Sequence, residues 1–255
     1  MKNFVIHDSF KQNKIEIDSF ISNFDNEGED FGNQDRNSLK LFKLNASLVN
    51  VKSFRIPNIV NQIAYNFFRK SKAQRSFEYA NKLTKLNIGT PQPIAYYEFK
   101  TPFLFKKSYY ISEHLSYDLT YRELTTDLNY PDHEIILRKF TKFTYKLHEN
   151  GINFLDHSPG NTLISKVDGK YLFYLVDLNR MEFQFMDFET RIKNFARLTI
   201  HKSMVEVMSD EYAKCTGEAY NKVFNLMWYE TESFQEKYNR KRRIKNKVKF
   251  WKSPR

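Results

Sequence analysis

The sequence predicts an α+β fold, with a small sheet-rich lobe followed by a larger helical one. Three observations lead there. Residues 15–56 carry β-branched and aromatic residues in partly alternating order around a turn-rich stretch. Amphipathic helical patterns follow, broken by two further strands and a short hairpin. No internal repeat or low-complexity linker divides the body of the chain.

In chain order, "IEIDSFISNF" (15–24) and "SLKLFKLNASLVNVKSF" (38–54) read as strands. The turn-forming stretch between them, "DNEGEDFGNQDRN", supplies Gly28 and Gly32. The second stretch reads as a hairpin turning near Asn45, stopped by Pro57. "NIVNQIAYNFFRK" (58–70) places Ile59, Ile63 and Phe67 at helical spacing, and "AQRSFEYANKL" does the same with Ala73, Phe77, Ala80 and Leu83. The breaker "NIGTPQP" precedes two strands, "IAYYEF" and "SYYISEHL". Residues 132–149 form a helix with Ile136, Phe140, Phe143 and Leu147 on one face, ending at Asn150-Gly151. A loop and a hairpin turning at Asp168-Gly169 follow, and residues 187–236 read as mostly helical. The expected divisions are 1–115 for the first lobe, 116–236 for the second and 237–255 for a basic tail.

Charge separates the tail from the body. Residues 237–255 hold ten Lys/Arg and no acid, which leaves +1 for residues 1–236 out of the net +11. Such a tail suits an anionic partner, whether lipid headgroups, nucleic acid or an acidic protein, or it is only solvated. Nucleic acid is the poorer fit, because only Tyr238, Phe250 and Trp251 offer stacking groups. The lone Cys215 excludes an internal disulfide and suits a reducing cytosol. No apolar run approaches the ~20 residues of a membrane span, and the first twenty residues lack the apolar core of a signal peptide.

The chemistry concentrates in "GINFLDHSPGNTLI" (151–164), where Asp156 and Asn161 stand five positions apart on a loop between apolar strands. The hairpin that follows would return Asp177, at the end of "YLFYLVDLN", beside Asn161. A carboxylate and an amide oxygen are hard ligands suited to Mg²⁺. Asp156 is then left to orient a hydroxyl nucleophile and take its proton late in the reaction. Upstream, strand residue Lys52 can contact the α- and β-phosphates of ATP, with Glu78 on a later helix holding its ammonium. Gly28 and Gly32 lie where a phosphate-covering hairpin belongs, although they do not form a glycine-rich triplet.

This order of parts resembles the protein-kinase-like bilobal fold, with a small antiparallel-sheet N-lobe and a larger helical C-lobe. Lys52, Glu78, Asp156, Asn161 and Asp177 match its lysine, helix glutamate, catalytic Asp, catalytic-loop Asn and metal-binding Asp. The strings "NGINFLDHSPGNTLI" and "LVDLNRMEF", with "VKSFRIPN" and "KAQRSFEYANKL…GTPQPIAYYE", are more closely similar to the lipopolysaccharide kinases, and among them to the Kdo kinase group. The resemblance covers roughly residues 20–185. It implies an ATP- and Mg²⁺-dependent phosphotransferase whose acceptor is a Kdo-bearing lipid A precursor at the cytoplasmic face of the inner membrane. The basic tail would then hold it peripherally on an anionic surface.

The departures from the pattern bear on regulation. Phe154-Leu155 replace the His-Arg before the catalytic Asp, Leu178-Asn179 replace Phe-Gly after the metal Asp, and Ser158 replaces the lysine of many protein kinases. These changes imply constitutive competence and argue against a regulated protein kinase. A bacterial protein or small-molecule kinase and a catalytically silent scaffold remain the rival readings. Three assignments stay open in the sequence. Asn179 is a third polar group at the metal or a turn residue. His157 touches acceptor or phosphate, or only backbone. Helix 58–70 packs on the small lobe, or touches a membrane with Arg55, Arg69, Lys70 and Lys72 toward headgroups. His148 and His201 have no partner legible in the sequence.

Overall fold

The computed structural model describes residues 1–32 and 37–252, the last six of these by backbone alone. The chain folds into two compact units, Met1–Ser116 with Tyr174–Arg180, and Tyr117–Phe173 with Met181 onward.

The first unit is built on a six-stranded antiparallel sheet. Its strands are β1 (Lys2–Ile6), β2 (Glu29–Asp30), β3 (Asn37–Leu44), β4 (Ser47–Phe54), β5 (Pro93–Lys100) and β6 (Phe105–Glu113), in the order β1-β5-β6-β4-β3-β2. Asn45 makes the tight β3–β4 turn with φ +54°, a conformation Asn tolerates better than most residues. The N-terminal edge strand β1 is an addition to the sequence reading. Its polar, half-exposed pattern gives no alternation to detect, and its pairing partner, β5, lies far along the chain.

The stretch expected as a strand at 15–24 is instead helix α1 (Lys14–Ser22). Ile17, Phe20, Ile21 and Phe24 are buried, a spacing of three and four that belongs to a helix. Local β-branched content obscured that period. The Phe20 ring packs on Phe42 of the sheet at 4.8 Å. Helix α2 (Ile59–Phe67) starts at Asn58, which accepts from the Asn61 amide at 3.0 Å. Helix α3 (Lys72–Lys85) starts at Ser71 in the same way and buries Ala73, Phe77, Ala80 and Leu83. Unlike α3, α2 buries none of its side chains.

The second unit holds the three-stranded sheet β10-β9-β7, from β7 (Leu119–Thr120), β9 (Thr162–Val167) and β10 (Lys170–Leu175), the last two residues of β10 belonging to the first unit. It also holds the pair β8 (Ile152–Phe154) and β11 (Met181–Phe183). Its helices are α4 (Tyr121–Thr126), α5 (His133–Glu149), α6 (Phe188–Lys193), α7 (Lys202–Thr216) and α8 (Tyr220–Lys252). Thr120 and Glu123 close a capping box at the start of α4. Helix α5 turns Ile136, Leu137 and Phe140 into a core shared with Tyr121, Met208 and Tyr212, and Leu147 is buried as well. Arg138 and Lys142 on α5 also reach Glu211 of α7 at 3.1 and 3.0 Å. The basic segment begins inside α8, which continues as a helix to Lys252. Residues 253–255 and the side chains of Phe250 and Trp251 lie outside the described structure. No helix among the described residues is long and apolar enough to cross a membrane.

Candidate active site

In the first unit, Lys52 and Asp177 meet. Lys52 Nζ donates to Asp177 Oδ1 at 2.8 Å across 125 positions of sequence. The Asp177 segment is fastened to this unit by two bonds to the turn before β5. The Leu175 amide donates to the Gly89 carbonyl at 2.9 Å, and Thr90 Oγ1 donates to the Leu175 carbonyl at 2.9 Å. Asp177 sits at φ +57°, a left-handed conformation uncommon for a residue with a side chain. Asn179, itself buried, donates to the same Oδ1 at 2.7 Å and fixes the carboxylate's rotation. Of its two readings, the structure therefore shows Asn179 bound to Asp177. Asp177 Oδ2 accepts no bond from the described residues.

In the second unit, Asp156 and Asn161 share one loop after β8. Asn161 Nδ2 donates to the Asp156 carbonyl at 2.8 Å, which spans the 3-10 turn Pro159–Asn161. Arg197 Nη1 donates to the Leu155 carbonyl at 2.8 Å and to Asp156 Oδ1 at 2.9 Å, holding backbone and carboxylate together. The Gly160 position admits the Arg122 guanidinium from α4, whose Nη2 lies 2.6 Å from where a Cβ would stand.

Behind the loop lies a buried polar core that the sequence did not reveal. Asn194 Nδ2 donates to Asn153 Oδ1 at 3.0 Å and to the Phe154 carbonyl at 2.9 Å. Its Oδ1 lies 3.0 Å from His157 Nδ1 and 3.3 Å from His148 Nε2. Both imidazoles must donate to that single acceptor, so His148 Nδ1 is left to accept from the Tyr212 hydroxyl at 2.8 Å. Burial is the main force on both rings, pushing His148 down to about 3 and His157 down to about 4. His157 is thus held from the loop side by Asn194, while its buried Nε2 has no partner among the described residues. His201 Nε2 lies 3.0 Å from the Thr125 carbonyl, far from these groups in sequence and in role.

Two expected placements differ. Glu78 does not meet Lys52; it accepts from Lys70 Nζ at 2.7 Å and from Gln74 Nε2 at 3.0 Å. The α3 helix turns Glu78 toward its own N-terminal end, where Lys70 supplies the nearer cation. Gly28, at φ +83°, lies against the Phe42 ring, which a Cβ would approach to 2.6 Å, so it packs at the base of the hairpin. Gly32, at φ +68°, faces open space beside residues 33–36, which lie outside the described structure.

The donor types, a carboxylate in the first unit and an amide oxygen in the second, suit Mg²⁺. Among the described residues no cluster of three or more His, Cys, Asp or Glu side chains forms a complete metal cage. Mg²⁺ needs none, since it keeps waters and substrate phosphates around one or two protein oxygens. Asp177 Oδ2 in the first unit and Asn161 Oδ1 in the second are each oxygens of this type, on side chains whose other polar atom is hydrogen-bonded.

The family model described as lipopolysaccharide kinase (Kdo/WaaP) matches residues 55–220. The chain belongs to this family. A comparison with curated protein sequences gives no match. Among solved structures, the lipopolysaccharide kinase chain is similar to one titled WaaP in complex with acyl carrier protein. The TM-score is 0.65 at 14% identity, covering 92% of this chain and 98% of that one. At that identity the likeness establishes the fold, an α+β kinase architecture with an N-terminal antiparallel sheet and a helical C-terminal region.

Proposed function

We propose that this lipopolysaccharide kinase family member transfers the γ-phosphoryl group of ATP to a sugar hydroxyl of the lipopolysaccharide inner core, namely Kdo on a lipid A precursor. The observation that carries the reading is the Lys52–Asp177 ion pair at 2.8 Å, which couples a sheet lysine to a strained, doubly held carboxylate. Lys52 would bind the α- and β-phosphates, and Asp177 with Asn161 would hold Mg²⁺. Bound Mg²⁺ supplies neutralisation of charge on the phosphate oxygens. Asp156 would orient the acceptor hydroxyl and take its proton late, while Arg197 keeps its carboxylate in one rotamer. Gly28 and Gly32 would shape the base and tip of the phosphate-covering hairpin. Glu78 would act at one remove, through Lys70.

A lobe spanning 1–115 would cover the nucleotide, and one spanning 116–236 would carry the catalytic and metal-binding loops. The basic stretch 237–255, whose first part is the solvent-exposed end of α8, would bind an anionic bilayer at the cytoplasmic face of the inner membrane. Labelled ATP offered with Kdo–lipid A precursor, with a generic protein and with no acceptor tests the reading. Label in the lipid alone supports it. Label in protein alone overturns it in favour of a protein kinase, and no label in any arm supports a silent scaffold.

A further inference from the structure

Helix α2 is inside out. Its apolar stripe, Ile59, Val60, Ile63 and Phe67, points to solvent, with exposures of 57, 71, 43 and 56%. Its polar stripe faces the protein. Gln62 Nε2 donates to the Pro57 carbonyl at 2.9 Å, Asn66 Nδ2 donates to the Pro102 carbonyl at 3.2 Å, and the Tyr65 ring packs edge-on against Phe105. A helix that merely covered the sheet would be turned the other way. The Asn66–Pro102 bond also ties α2 to the β5–β6 turn, whose tip is Phe103, 74% exposed. Phe68, 82% exposed, ends the helix beside it.

The charge around this ridge selects its partner. Residues 55–77 carry five Lys/Arg and no acid. Arg55, Arg69 and Lys72 are exposed and form no ion pair with described residues, whereas Lys70 is taken by Glu78. Arg55 and Lys72 line a recess of about 540 Å³ under α2, together with Asn58, Asn61 and Ser108. An apolar ridge of Ile and Phe rimmed by unpaired cations matches a helix lying in the headgroup–acyl boundary. Nine residues at ~1.5 Å each are far too short to cross a bilayer.

We infer that α2 and the Phe103 turn form a docking face for an anionic membrane. The ridge enters the acyl boundary, and lipid phosphates sit over Arg55 and Lys72. This surface is separate from the basic end of α8, and its binding needs no turnover.

The test is co-sedimentation of the full chain with vesicles of equal parts phosphatidylglycerol and phosphatidylcholine, and with pure phosphatidylcholine vesicles. Phe67→Ser/Phe68→Ser/Phe103→Ser should lower the partition coefficient on the order of a hundredfold. Arg55→Gln/Lys72→Gln should lower it roughly thirtyfold on the anionic vesicles only. Thermal melts matching the wild type show that the variants fold; these side chains are exposed, and single-residue variants replace any combination that melts early. Both variants sedimenting like the wild type would overturn the inference. So would a wild type that dimerises while the Phe variant is monomeric, since the ridge would then be a contact between copies of the chain.

Discussion

Acidification should weaken the polar core around Asn194, next to the Asp156 loop, before any carboxylate effect sets in. His148 and His157 are buried, neutral and committed as donors to one Asn194 oxygen. Their folded values of about 3 and about 4 stand below the ordinary 6.5. A histidine depressed on folding takes its proton more readily in the unfolded chain. Its stabilisation is therefore complete above 6.5 and is lost as pH falls from there toward the folded values. At about pH 5 each ring costs about 2 kcal/mol, or about 4 kcal/mol together, against a typical total of roughly 5–15 kcal/mol. Carboxylates titrate mostly below about pH 5, so the interval from about pH 8 to about pH 5 isolates the histidines. Urea unfolding followed by far-ultraviolet dichroism across that interval measures the loss. His157→Gln should be less stable at neutral pH and should lose about half of the pH dependence. An unfolding free energy that is flat across the interval, or a His157→Gln variant with the full dependence, would refute the reasoning.

Asp177→Ala should abolish Mg²⁺-dependent ATP binding, and Asn161→Ala should weaken it less, because a neutral amide holds a divalent cation less strongly; calorimetric titration with and without Mg²⁺ checks both. Lys52→Ala should lower ATP affinity on the order of tenfold or more through a lost charge-assisted contact. Glu78→Gln should change that affinity by no more than about twofold, since its partners are Lys70 and Gln74, and a loss equal to that of Lys52→Ala would restore the direct pairing. Gly151→Ala should destabilise the chain by about 2 kcal/mol or more. The residue sits at φ +64° with the Gln184 carbonyl oxygen 2.7 Å from any Cβ, and an unchanged thermal melt would contradict this.

The parts of the fold legible in the sequence were those whose signal is local. The α5 stripe of Ile136, Phe140 and Leu147 repeats over about three turns, and the helix stops at a glycine that the turn requires. Asp156 and Asn161 were legible because a short loop must bring together residues five apart. Asp177 was placed at the end of the following hairpin, but the sequence paired Lys52 with Glu78, and a Lys52–Asp177 bond across 125 positions was not legible. Arg197 and Asn194 were not legible, because each reaches the loop from about forty positions away and neither residue type marks itself. The Glu78 pairing failed for a related reason: the sequence places a carboxylate on a helix without saying which of several lysines lies nearest. The orientation of α2 was equally hidden. Periodicity shows that a helix has two faces, and only Asn66 and Gln62 binding backbone carbonyls show which face is turned in.

The central claim is phosphoryl transfer to a lipid-borne sugar hydroxyl with Asp156 as the acceptor-side carboxylate. Single-turnover transfer from labelled ATP to Kdo–lipid A precursor, run on the wild type and Asp156→Ala beside Mg²⁺–ATP affinity for each, tests it most directly. The account predicts transfer by the wild type, a rate lower by roughly 10³-fold or more in the variant, and nearly equal nucleotide affinity. Turnover by Asp156→Ala close to the wild-type rate, or wild type that transfers nothing to this acceptor, would contradict it.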